Sequence, residues 1–263
     1  MSWLPTVFIS HGAPTFALEP GRAGRQLAAL GRELPRPQAV LVVSAHWITS
    51  TPRVSFATSP ETIHDFGGFD PALHEMVYPA AGHPRLARRA VEVLHTAGWQ
   101  AQGDEHRGLD HGAWVPLMHM YPAADVPVFQ ISLPATLEAD SAWAFGQALQ
   151  PLSSEGVLVI GSGSLTHNLY EFRQHLAHVE PYVAEFSAWV REAAQSGDAN
   201  RLRRTLSEAP HAQRAHPTPE HFLPLLVSAG AAADLRPSRI LDGGIMHGIL
   251  SMDSFVFGSP VIQ

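Results

Sequence analysis

The 263-residue chain is 45% hydrophobic and 16% charged, a globular composition, and its net charge of -7 with no basic block argues against nucleic acid or anionic membrane as partner. It has no cysteine and no lysine, all 17 basic residues being arginine, which excludes thiol nucleophiles, disulfides, thiolate metal sites, Schiff-base chemistry and a P-loop lysine. Sixteen histidines remain, so a bound metal would be held by imidazole, carboxylate and water, the set that suits zinc or non-haem iron(II).

The length suits one large α/β domain or two small ones. No charged N-terminal region leads into an apolar run, and no stretch approaches the roughly 20 residues of a membrane span. A cytoplasmic protein is the expectation. The first predicted strand, Thr6–Ser10, delivers His11-Gly12-Ala13-Pro14, and Pro20 to Leu34 has the leucine spacing of an amphipathic helix. Val40-Leu41-Val42-Val43 has no polar alternation and reads as a strand buried on both faces, ending at Ser44-Ala45-His46-Trp47. Residues 48–82, rich in proline and glycine, read as a weak edge strand (Val54 to Ala57) and a long loop forming part of a pocket wall, with His64 and His74 as solvated residues.

Pro84 and Gly98 bracket a helix. In Asp110-His111-Gly112, at a loop-to-helix junction, the acid reads equally well as a helix cap or as a site residue. Val126–Ser132 is a strand placed near an edge because Pro127 lacks a ladder donor. A helix over Leu137–Leu152 precedes Val157–Ile160, a strand running through Gly161-Ser162-Gly163-Ser164 to His167. A further helix spans Glu180–Ser196, and a short charged helix or turn covers 198–209. Thr218 and Pro219 read as the N-cap and first position of a last helix, with Glu220 and His221 in its first turn. His247 reads as structural. Strand–helix alternation predicts one three-layer α/β/α domain over residues 1–263 with a mostly parallel or mixed sheet. Three strands that each lead to a histidine point three imidazoles at one crevice beyond their carboxyl ends.

Ile9–Pro14, Ser44–Trp47, Asp110–Gly112, Gly161–Asn168 and His216–Phe222 stand, in order and approximate spacing, as in a known pattern. Over essentially the whole chain it resembles the class III (LigB-type) extradiol ring-cleavage dioxygenases, in their DOPA 4,5-dioxygenase branch. The resemblance implies non-haem iron(II) for activity, with zinc(II) able to occupy the same site. A catechol and O₂ would be the partners, and the product a muconic semialdehyde. It implies His11, His46 and His221 as ligands, and His167 as the acid/base that also approaches the resting metal. His111 would act beside it, with His216 and Trp47 as substrate contacts. The family's usual 2-His-1-carboxylate site would favour Glu220 over His221; the in-line spacing of His221 with Leu225 favours the histidine. A homo-oligomer is compatible with this reading. A metal-binding relative without ring-cleaving activity and a zinc-dependent hydrolase are the alternatives.

Overall fold

A computed structural model describes residues 3–173, 178–236 and 238–258. The first half of the chain runs β1 (Thr6–Ser10), α1 (Gly21–Glu33), β2 (Ala39–Thr49), β3 (Arg53–Ser55), α2 (Pro84–Thr96), β4 (Gln102–Asp104), α3 (His111–Met120) and β5 (Val128–Pro134). The second half runs α4 (Ala139–Ser154), β6 (Val157–Gly163), α5 (Pro181–Ser196), the short α6 (Ala199–Arg203), α7 (Thr205–Glu208) and α8 (Ala212–Ala215), then α9 (Leu223–Ala231). The last strands are β7 (Ser238–Leu241), β8 (Ile245–Met246), β9 (Leu250–Ser251) and β10 (Ser254–Phe257).

Eight strands form one mixed sheet in the order β4-β3-β5-β2-β6-β1-β10-β7. The central strands β5, β2, β6 and β1 are mutually parallel, while β10 and β7 close one side antiparallel. The period-two geometry of a strand explains why the apolar runs do not alternate with polar residues. Leu41, Val43, Phe129, Val157 and Val159 pack under α2, α4, α5 and α9 on one face. Val40, Val42, Val128, Leu158 and Ile160 pack under α1 and α3 on the other. Both faces are covered, as expected. No helix among the described residues is long and apolar enough to cross a membrane.

Three local expectations are corrected. Pro127 precedes β5 rather than sitting in it, so no ladder donor is lost and β5 lies inside the sheet between β3 and β2. β2 does not stop at Val43 but continues through His46 to Thr49, with a register break against β5 between Val43 and Ile48. Such irregularities re-aim side chains at the rims of sheets. The last helix starts at Leu223, not Pro219, with Pro224 in its first turn where no donor is missed. Glu220 and His221 therefore sit in the turn leading into α9.

Candidate metal centre

His11 is the first residue beyond β1, and its backbone N–H bonds Gly163 of the neighbouring β6 at 2.9 Å. His46 rides the irregular end of β2, where its N–H bonds the Ser44 hydroxyl at 3.2 Å. His221 reaches the same place from the far side of the sheet. It can do so because β6 carries glycines there. A Cβ on Gly163 would meet the His221 carbonyl oxygen at 2.1 Å, and one on Gly161 would meet that of Pro224 at 2.0 Å. Only hydrogen side chains let this turn lie on the strand.

The three rings converge through their Nε2 atoms, 3.0 Å from His46 to His11 and 3.3 Å from His221 to His46. Each opposite nitrogen faces an oxygen. Ser162 Oγ donates to the Gly112 carbonyl, so it accepts the His11 Nδ1–H at 2.9 Å. Glu220 Oε1 accepts from His221 Nδ1 at 3.0 Å, and Asp65 Oδ2 stands 3.6 Å from His46 Nδ1. Protons held at Nδ1 leave three Nε2 lone pairs aimed at one another. That is repulsive unless a cation sits between them, and the spacings suit nitrogens about 2.1 Å from one shared ion. Histidine ligands commonly give their second N–H to such an acceptor. The group His11, His46 and His221 fits a divalent metal.

Burial, and then the neighbouring imidazoles, hold His11 and His221 well below the usual imidazole range. Burial followed by His111 lowers His46 to about 4. The rings are thus neutral and ready to ligate near pH 7. Burial would raise the Asp65 carboxyl, but hydrogen bonds from the His111 ring and backbone outweigh it and hold the group at about 2. Asp65 bonds the His111 N–H at 2.9 Å and its Nδ1 at 3.0 Å, tying the long loop to the start of α3. Sequence reasoning missed this acid; its only signal was its place in a loop assigned to the pocket wall.

His167 lies face to face with His221, ring centroids 3.4 Å apart and planes 11° from parallel. Burial lowers it to about 4 against the opposing pull of Glu220. Its mount is not flexible: Gly161–Ser164 is fully buried, Ser164 N–H bonds the His221 carbonyl at 3.0 Å, and His167 N–H bonds Ala215 at 2.8 Å. His46, His111, His167 and His221 line one cavity of about 420 Å³, walled by Pro14, Phe66, Phe69, Leu169, Phe172 and Leu250. That volume is in the range of small-molecule sites.

The structure places the two expected substrate contacts elsewhere. His216 is buried against Phe186 and Phe222, with Nε2 bonded to the Leu165 carbonyl at 2.8 Å. Trp47 is buried under the Arg107 guanidinium, 4.9 Å from its ring. Neither lines the cavity, since the segments carrying them turn these side chains into the packing behind it. Asp110 stands at the N-cap position of α3 without capping it. Its buried carboxylate instead accepts from Ser44 (2.7 Å), Gln130 (2.9 Å) and Arg107 (2.7 Å). His64 is half-buried and bonds the Met76 carbonyl rather than water.

Fold and site together define a mixed α/β protein with an all-imidazole centre open to a small-molecule cavity. The chain belongs to the LigB family: residues 6–243 match the family described as the catalytic LigB subunit of aromatic ring-opening dioxygenase. It is 41% identical to the 4,5-DOPA dioxygenase extradiol of Beta vulgaris, over 97% of this chain and 96% of that protein. The protein of that name in Escherichia coli K12 is 39% identical over 97% and 95%. A crystal structure of an uncharacterized E. coli K12 protein, JW3007, superposes with a TM-score of 0.80 at 34% identity, covering 97% of this chain and all of that one.

Two consequences can be measured. Ser162→Ala removes the oxygen that fixes the His11 tautomer, and the expected result is a folded protein whose metal affinity falls about 10- to 100-fold; unchanged affinity in a metal titration would remove Ser162 from the site. The second concerns acid. His46, His167 and His216 sit at about 4 in the fold, against about 6.5 when unfolded. Between these values the unfolded chain binds more protons. The stability these rings contribute is therefore fully present above pH 6.5 and is lost as pH falls towards 4. Chelator-treated protein should melt at a steeply lower temperature at pH 5 than at pH 7, and a flat profile would contradict the burial of these rings.

Proposed function

We propose that the whole chain acts as one catalytic unit, a metal-dependent extradiol dioxygenase that opens a catechol ring beside its diol with O₂ to give a muconic semialdehyde. The observation that carries this reading is the convergence of three neutral imidazoles, two of them lining an aromatic-walled cavity, in a chain of the LigB family. His11, His46 and His221 would hold the ion, with iron(II) as the active metal and zinc(II) able to take its place. The ion, when bound, supplies Lewis acidity and, if iron, a path for electrons between diol and O₂.

The chain's own residues do the rest. His167, neutral and facing the cavity, takes a proton from a catechol hydroxyl and returns it as the ring opens. His111 has Nδ1 committed to Asp65, so Nε2 is the nitrogen it offers to substrate oxygen. Phe66, Phe69 and Phe172 flank the ring and keep bulk water from the reaction. Ser162, Glu220 and Asp65 hold the ligand rings in orientation.

The deciding experiment is aerobic turnover of a catechol. A yellow ring-opened product with iron(II) and none with zinc supports the dioxygenase. Hydrolysis of esters under zinc, with no oxygen uptake under iron, would favour the hydrolase. Tight metal binding with neither activity would leave a binding protein.

A further inference from the structure

Among the described residues that line the cavity, Gly67, Gly68 and Leu169 are the exposed ones, while His111 and His221 are buried. The cavity therefore leads from the imidazoles out to a mouth bordered by two glycines and a leucine. The loop that carries the glycines is fixed on both sides of them. The Ile63 carbonyl accepts from Trp114 Nε1 at 3.0 Å, Asp65 accepts the His111 N–H at 2.9 Å, and Asp70 accepts the Ala72 N–H at 2.9 Å. Phe66 packs edge-on to His111 with ring centroids 5.7 Å apart, and Phe69 packs edge-on to Phe66 at 6.1 Å.

A glycine in such a wall commonly answers to packing or to backbone geometry. Gly12, also in the lining, answers to both: its φ is +63°, and a Cβ there would meet Met252 Sδ at 2.6 Å. Gly68 has a φ of +77°, which by itself favours glycine. Gly67 answers to neither. Its φ lies outside the left-handed region, and an added Cβ would meet no atom of the described residues within 4 Å. Its missing side chain leaves the mouth wide. The cavity of about 420 Å³ is in the range of drug-sized ligands, more than a bare catechol ring fills. A diol held at the imidazoles leaves the rest of the molecule to extend towards the mouth. We infer that Gly67 is the specificity-determining residue of this cavity: the gap at its side-chain position is the passage for the ring substituent, so the site takes catechols whose substituent is long enough to pass the mouth into water. Selection is by length and bulk, not by charge, because a tail end that reaches water keeps its hydration. This rests on the catechol-dioxygenase reading and deepens it.

The test compares the parent with Gly67→Ala, Gly67→Leu and Gly67→Phe, each as the full iron(II)-loaded chain, on 4-methylcatechol and 4-hexylcatechol. The parent should turn over both. Each larger side chain should lower kcat/KM for the hexyl compound further, through KM, by about tenfold or more at phenylalanine, while 4-methylcatechol stays within about twofold. A parallel fall for the two substrates, an unchanged ratio between them, or a parent that rejects 4-hexylcatechol would overturn the assignment. Anaerobic calorimetry on zinc-loaded protein reads affinity without turnover, and the same graded loss, confined to the hexyl compound, is expected. If the parent binds both catechols but opens neither, the dioxygenase reading fails, while the calorimetric series still decides the role of Gly67. A parent that binds neither catechol overturns both.

Discussion

His221→Ala is expected to yield a folded protein without stoichiometric metal and without ring-cleaving activity. Its Nε2 is one of three converging imidazole nitrogens among the described residues, and alanine leaves two, too few to hold an ion in a site that keeps positions open for substrates. His11→Ala and His46→Ala should behave alike. Glu220→Gln is the informative contrast. Glu220 accepts from His221 Nδ1 at 3.0 Å and from Thr218 Oγ1 at 3.0 Å, a place that suits an acid orienting the His221 ring rather than a ligand. That variant should retain metal at saturating concentration with affinity lowered about 10- to 100-fold. Metal analysis of the purified variants decides between them. Loss of metal from Glu220→Gln with retention in His221→Ala would make this a carboxylate site.

The second large effect is kinetic. His167→Gln should bind metal and catechol and turn over about 10²- to 10⁴-fold more slowly, the usual cost of losing a general acid/base. His167 stacks on His221 at 3.4 Å, against the ring proposed as a ligand, and lines the cavity. Glutamine keeps a polar side chain of similar reach but cannot shuttle a proton. Metal content and catechol affinity close to the parent, with kcat alone reduced, is the expected signature. A variant that loses its metal would make His167 a fourth ligand.

Much of the molecule was readable from local pattern. The runs Thr6–Ser10, Val40–Val43 and Val157–Ile160 read as buried strands, and strands that alternate with amphipathic helices build a three-layer sheet. Histidines after such runs must emerge at the carboxyl ends of the strands, which is why the sequence alone marks His11, His46 and His167 as neighbours. The five ordered motifs named the family on the same residues. The limits of that reading were set by contacts distant in sequence. Asp65 matters because a long loop folds over α3 and sets it beside His46 and His111, residues no spacing rule connects. Glu220 and His221 stand in a turn rather than in a first helical turn because α9 starts four residues later than Thr218 and Pro219 implied.

What the sequence determined alone is the chemistry on offer: imidazoles without thiols or lysines, mounted at strand ends that period-two burial had to align. What only the tertiary structure decided is which of those imidazoles meet. His216 belongs to the same motif as His221, yet it is buried against Phe186 and Phe222 with its Nε2 on a backbone carbonyl. His221 arrives at the centre because Gly161 and Gly163 leave room for its turn against β6, at distances no side chain would allow. Close approach of two backbones depends on atoms sixty residues apart in sequence, and only the packed chain brings them together.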